Sequence, residues 1–244
     1  MTTPAGAATR RSPGAPEPYA GLVVAGGEAR RLGGVDKPML EIGGRTLLAR
    51  SLDALSGADP VVVVGPRRAG VSGAGIRVRW TREDPPGGGP VAALAAGLAL
   101  VDRSRVVVLA ADLRGITATA VERLLGALDR DQGGDPEGSG APQGGGTLDD
   151  TVPADPADPA APGTTTPGEA GGHRTGAVDG AVLVDAGGHR QWLAGAWRTA
   201  SLRAALPDRP AGLALRRVLG GLTIVDVPAL GDEAADVDTP GDLP

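Results

Sequence analysis

The sequence predicts an α/β fold: a mostly parallel β-sheet with helices packed on both of its faces. Short apolar runs bounded by glycine or aspartate, at Gly21 to Gly26, Val61 to Val64 and Arg105 to Ala110, read as strands buried on both sides. Segments of helical spacing separate them, and strands alternating with helices imply βαβ units. Phe is absent and aromatic residues make up 2% of the chain, so the core must be built from Val, Leu, Ile and Ala. Aliphatic runs of that kind suit a sheet covered on both faces.

Taken in order, the first strand at Gly21 to Gly26 leads into a glycine-rich loop that ends at Gly34. Leu47, Leu48, Leu52 and Leu55 then recur at helical spacing within Arg45 to Leu55. Val61 to Val64 and Arg77 to Thr81 are the next strands, and Pro90 stands where a helix to Leu100 would begin. Arg105 to Ala110 is a buried strand that ends just before Asp112, and Thr117 is a candidate N-cap for a helix to Leu128. Asp179 to Asp185 and Arg190 to Leu193, split by Gly187-Gly188, read as a hairpin. Helical patterns at Thr199 to Leu206 and Ala211 to Leu219, a strand at Leu222 to Val227 and a capped helix start at Asp238 complete the series.

One domain is therefore expected over residues 19–130 and 178–244. Residues 1–18 read as a disordered leader, since Arg10 and Arg11 precede no apolar h-region of a signal peptide. Residues 131–177 are dominated by Gly, Pro, Asp and Thr, too poor in large apolar side chains to offset ordering entropy, and read as a disordered insert. No run reaches the roughly 18 apolar residues of a membrane span, so the cytoplasm is the expected location. A net charge of −5 argues against a nucleic-acid binder, and the absence of Cys excludes disulfides and thiolate chemistry.

Lys37 is the sole lysine; every other basic side chain in the Lys and Arg total of 24 is arginine. A compact ammonium with three donors differs from a planar guanidinium fork, and its single use marks position 37 as one where a point charge is wanted. The preceding loop, Ala25-Gly-Gly-Glu-Ala-Arg-Arg-Leu-Gly-Gly34, lets consecutive N–H groups converge on an anion, with Arg30 and Arg31 adding charge. It is neither a P-loop nor a G-x-G-x-x-G dinucleotide loop. Asp112 follows an apolar strand and so falls at a carboxyl end, where open α/β sheets bind ligands. The two histidines, His173 and His189, read as solvated surface. Trp192 and Trp197, with Arg190 and Arg198, fit either a pocket for a flat acceptor or a core and hairpin edge.

Val24-Ala-Gly-Gly-x-Ala-x-Arg31-Leu-Gly-Gly-x-Asp36-Lys37 closely resembles the opening motif of molybdenum cofactor guanylyltransferases. Resemblance recurs in the same order at Leu40 to Leu48, Gly89-Pro90 to Leu98, Val107 to Asp112, and Asp236-Val-Asp238-Thr-Pro-Gly-Asp-Leu243. It implies the nucleotidyltransferase fold, a Rossmann-like three-layer sandwich, transferring GMP from GTP to molybdopterin with Mg²⁺ and release of pyrophosphate. By position, Val24, Ala25, Gly26, Gly27 and Arg31 would hold the triphosphate and sugar, with Gly89 in the nucleotide site. Lys37 would lie on the phosphates and Asp112 would hold Mg²⁺. Asp84, with Glu83 as the alternative, would read the base edge. The chain departs from the family pattern at Glu28, at Val64 where a polar residue usually closes the second strand, and at Arg114 where Pro is usual. Two rival readings follow: a cytidylyltransferase or sugar-phosphate nucleotidyltransferase of the same fold, or a non-catalytic nucleotide-binding paralogue. Neither membrane nor nucleic acid is an expected partner, and the oligomeric state is left open.

Overall fold

The computed structural model describes residues 17–26, 36–71, 75–130 and 177–237. The expected leader and insert therefore lie almost wholly outside the described residues, as does the capped start at Asp238. Nine strands and five α-helices are described: β1 Ala20–Val24, β2 Glu41–Ile42, β3 Arg45–Thr46, α1 Leu47–Ala54, β4 Val61–Val64, β5 Val78–Thr81, α2 Pro90–Leu98, β6 Arg105–Ala110, α3 Ala118–Asp129, β7 Gly180–Val184, β8 Arg190–Arg198, α4 Thr199–Ala205, α5 Leu215–Leu219 and β9 Ile224–Pro228. Lys37–Met39 adds one turn of 3-10 helix.

Seven strands form one sheet in the order β5-β4-β1-β6-β8-β7-β9, and β2 with β3 makes a separate small hairpin. β1 pairs in parallel with both β4 and β6, β4 with β5, and β7 with β9; only β8 runs against its neighbours. The mostly parallel sheet expected from the sequence is thus present, and residues on both sides of the 131–176 stretch contribute to it. Alternate faces feed two apolar layers. Val23, Val63, Val107 and Leu109 pack toward Leu48 and Leu52 of α1 and Leu124 and Leu128 of α3. Leu22, Val62, Val106 and Val108 pack toward Leu94 and Leu98 of α2, Leu202 of α4 and Leu219 of α5. In the central strands β1, β4 and β6 nearly every side chain is buried on one layer or the other, which is why those three read as aliphatic runs.

Several elements differ from the sequence reading. The helix expected from Arg45 begins at Leu47, because Thr46 caps it by accepting from the Ala49 N–H at 3.1 Å, and Arg45 belongs to the β2–β3 hairpin. β8 does not stop at Leu193 but runs to Arg198, through Ala194-Gly195-Ala196, whose small side chains carry little strand signal yet fit between β6 and β7. Trp197 closes that run as a fully buried core residue, its ring lying where a side chain on Gly180 would stand. Trp192 is half-buried, with the Arg190 guanidinium 5.9 Å from its ring centre. The second C-terminal helix is only α5, since Ala211 to Ala214 form a turn in which Gly212 donates to the Gly88 carbonyl at 2.8 Å. Thr117 caps α3 as expected, accepting from the Ala120 N–H at 3.1 Å.

Candidate active site

Parallel strands bring their carboxyl ends to one edge of the sheet, and β1 is the strand at which the connections change direction: β4 lies on one side of it and β6 on the other. A crevice at such a switch point is the usual ligand site of an open α/β sheet. Val24 ends β1 there, hydrogen-bonded through its carbonyl to Ala111 N at 3.0 Å, while Ala25 N donates to the Val64 carbonyl at 2.8 Å. Gly65, at φ 147°, lets β4 lie against this turn; a side chain at Gly65 would put its Cβ 2.7 Å from the Ala25 oxygen. Val64 itself is fully buried, so this position offers an apolar wall in place of a polar group.

Lys37 opens the 3-10 turn that follows the glycine-rich loop, and Pro38 fixes the turn's start. Asp36 accepts the Met39 N–H at its carbonyl, at 2.8 Å, and Leu40 N returns to the Lys37 carbonyl at 3.0 Å. From that turn the Lys37 ammonium reaches within 3.8 Å of Asp112 Oδ2. The two side chains are 19% and 30% exposed, accessible to a ligand yet only partly hydrated. The pair that the sequence placed at the reaction centre is therefore brought together, from positions 75 residues apart (112 minus 37).

Asp112 is held by its backbone. Its carbonyl accepts from Val237 N at 3.3 Å, and Leu113 and Asp236 form an antiparallel bridge. Arg114 N donates to the Ala235 carbonyl at 2.9 Å, and its guanidinium meets Asp232 at 3.0 Å, so arginine at this position ties the loop to the C-terminal segment. Glu233 anchors the same segment to α3. A bond from Arg123 is the chief cause that holds the Glu233 carboxyl below the usual glutamate range, with the Leu230 N–H and the Thr117 hydroxyl helping against the cost of burial.

Glu83 and Asp84 are neighbours with different surroundings. Glu83 is buried; its Oε1 accepts from Gly87 N at 3.1 Å, and Oε2 has no hydrogen-bond partner among the described residues. A Cβ on Gly26 would lie 3.6 Å from Oε1, so this carboxylate faces the start of the glycine-rich loop. Asp84 is exposed. Gly89 caps α2, whose amino end opens on the same edge of the sheet because α2 follows the parallel strand β5. Gly27 and Arg31 lie outside the described residues. Among the described residues no group of three or more His, Asp or Glu is arranged to hold a metal.

Residues 21–140 match the family described as the MobA-like NTP transferase domain. Residues 21–140 thus carry a MobA-like NTP transferase domain. It is 37% identical over 113 residues to a molybdenum cofactor guanylyltransferase of Bradyrhizobium, an alignment covering 44% of this chain and 53% of the relative. It is also 33% identical over 151 residues to the bifunctional enzyme IspD/IspF of Rhizorhabdus wittichii, covering 58% of this chain and 39% of that one. Among solved structures, a nucleotidyl transferase from Methanothermobacter superposes with a TM-score of 0.57 at 19% identity, covering 92% of this chain and 93% of the other. The chain spans about half the length of the guanylyltransferases it matches.

The sequence carried no signal for one contributor to this site and only a partial one for another. Arg68, one arginine among many, forms paired bonds to Asp36 beside Lys37. The segment around Glu233 and Val237 was legible only as a tail motif, not as the support for Asp112. His189 is exposed at the hairpin tip with its ring 3.3 Å from Asp185, as expected of a surface histidine, and His173 lies outside the described residues. No helix among the described residues is long and apolar enough to cross a membrane.

Proposed function

We propose that this chain is a cytoplasmic, Mg²⁺-dependent enzyme that transfers GMP from GTP to molybdopterin, releasing pyrophosphate. The observation that carries the reading is the meeting of Lys37 and Asp112 at the carboxyl edge beside β1. A terminal phosphate oxygen of the acceptor attacks the α-phosphorus of GTP; that P–O bond forms as the bond to the β-phosphate breaks, and pyrophosphate leaves. An ionised phosphate needs no Ser, Cys or His nucleophile, so catalysis reduces to positioning and charge neutralisation. Lys37 opposes negative charge on the phosphates, and Val24, Ala25, Gly26, Gly27 and Arg31 cradle them, with the amino end of α2 after Gly89 open to the same region.

Asp112 offers a hard, partly exposed carboxylate, the donor type Mg²⁺ takes. A single protein carboxylate fits that ion, which keeps waters and substrate phosphates as its other ligands. Bound there, Mg²⁺ would supply further neutralisation of the phosphate charge.

Base preference separates this reading from the cytidylyltransferase alternative, which the IspD/IspF relative favours. A carboxylate accepts both the N1–H and the exocyclic amine of guanine, a donor pair absent from cytosine. The experiment is kcat/KM for GTP and CTP in the wild type, Asp84→Ala and Glu83→Gln. GTP preference in the wild type, relaxed in one of the variants, supports guanylyl transfer and chooses between the carboxylates. Equal use of both nucleotides by the wild type removes the guanine assignment and leaves nucleotidyl transfer standing. No metal-dependent turnover of any triphosphate, with nucleotide binding intact, favours the non-catalytic reading.

A further inference from the structure

The geometry points to Arg68 as the positioning residue for Lys37. Arg68 lies just past the end of β4, and its side chain is 10% exposed although it stands in a loop. Its guanidinium forms the planar two-point contact with a carboxylate that only arginine makes: Nε donates to Asp36 Oδ2 at 2.7 Å and Nη2 to Asp36 Oδ1 at 2.6 Å. Nη2 also donates to the Ala25 carbonyl at 3.2 Å, and Nη1 to the Pro66 carbonyl at 3.2 Å. One side chain thus joins three segments: the turn leaving β1, the residue that opens the Lys37 turn, and its own loop after β4.

What that does follows from the neighbours. Ala25 and Asp36 flank the glycine-rich loop, and Arg68 fixes the separation of those two flanks. Asp36 also sets the start of the 3-10 turn through its carbonyl, so fixing the Asp36 carboxylate fixes where the Lys37 backbone begins. Lys37 carries four flexible side-chain bonds, and its ammonium finds Asp112 only if that origin is held. The arginine half of the paired contact is nearly buried while the Asp36 carboxylate is about half exposed, so the fork's two-point geometry, more than shielding from solvent, sets the contact. Arg68 therefore acts through Asp36 on Lys37, not on a ligand directly.

Lys37 being the sole lysine gives a test that does not depend on activity. An amine-acylating reagent followed by mass spectrometry of the peptide that carries residue 37 reads its reactivity apart from the α-amine and from the lysine that Arg68→Lys adds. Arg68→Ala and Asp36→Asn should each raise the acylation rate of Lys37 several-fold over the wild type, and Arg68→Lys should resemble Arg68→Ala because it lacks the fork. Melting temperature serves as the control for folding, and Asp36→Asn is the milder variant should Arg68→Ala fold poorly. The kinetic half rests on the function proposed above: Arg68→Ala should lower kcat by on the order of 10–100-fold, as a displaced catalytic group does. It should change KM for the triphosphate less, and it should cost nothing further in a Lys37→Ala background.

Unchanged acylation in both variants overturns the inference, whatever the activity. A full additional loss on top of Lys37→Ala also overturns it, since Arg68 would then touch the substrate itself. Raised acylation in a protein that turns over no triphosphate leaves the positioning role intact and removes the proposed function instead.

Discussion

Replacing Glu233 with Gln keeps the side chain's size and removes its charge. In the native protein this carboxylate accepts from Arg123 Nη1 at 3.0 Å, Arg123 Nη2 at 2.6 Å, the Thr117 hydroxyl at 3.3 Å and Leu230 N at 2.8 Å. Its side chain is 8% exposed, so water does not replace what is lost. Glutamine offers one acceptor oxygen and turns an amide NH₂ toward the guanidinium. Losing charge-assisted bonds of this kind costs about 2 kcal/mol, or about 4–8 °C in Tm for a domain of this size. The pH dependence carries a sign. The folded Glu233 carboxyl titrates below its unfolded value, so its contribution is full above the ordinary glutamate range of about 4.3 and is lost as pH falls through the folded value. Urea denaturation of wild type and variant at a series of pH values should show the gap near neutrality closing as acid protonates the wild-type carboxylate, making it as neutral as glutamine. Equal midpoints at neutral pH, or a gap that persists unchanged into acid, would refute the reasoning.

Lys37→Ala should lower turnover by on the order of 10²–10³, the usual loss when one preorganised stabiliser of transition-state charge is removed. Lys37→Arg should also be impaired, because a planar fork does not replace a point charge; steady-state kinetics of both variants against the wild type checks this. Asp112→Asn should abolish Mg²⁺-dependent turnover while leaving the fold intact, since the main-chain bond from Val237 N to the Asp112 carbonyl is kept and asparagine matches the aspartate in size; the melting temperature of the variant checks this. An unchanged Mg²⁺ titration in that variant would reduce Asp112 to a turn residue.

How much was legible follows from the kind of signal each element carries. Val61 to Val64 and Arg105 to Ala110 were placed to the residue, because strands buried on both faces write themselves as short aliphatic runs. β8 was cut short because Ala194, Gly195 and Ala196 owe their strand state to β6 and β7 on either side, a tertiary effect that local sequence does not encode. Lys37 and Asp112 stood out by composition and position, and their meeting follows from a parallel topology that puts both near the carboxyl edge. Arg68 could not stand out. Its role depends on a bend after Gly65 that turns the loop toward Asp36, and nothing in its neighbours distinguishes it from Arg67. Nor could the sequence choose between Glu83 and Asp84, since burial of one and exposure of the other depend on how the turn into Gly87 closes.

The stretch between α3 and β7 can be tested for what its attachment points imply. α3 ends near the amino end of β6, where Arg105 forms an ion pair with Asp129. The chain rejoins beside the same edge: Arg198, opposite Arg105 in the sheet, donates to the Val178 carbonyl at 2.8 Å and the Leu128 carbonyl at 3.4 Å. Asp112 and Lys37 lie at the other edge, beyond the carboxyl end of β6. Shortening a connection whose two ends are already fastened changes mainly its closure entropy, about 0.6 kcal/mol for each halving. Deleting residues 137–171 should therefore leave melting temperature and kcat/KM for the triphosphate close to those of the full chain. Differential scanning calorimetry and steady-state kinetics on the deletion variant decide it. A large fall in melting temperature would mean that the deleted residues pack on the domain, and a selective loss of kcat at unchanged stability would mean that they reach the opposite edge of the sheet.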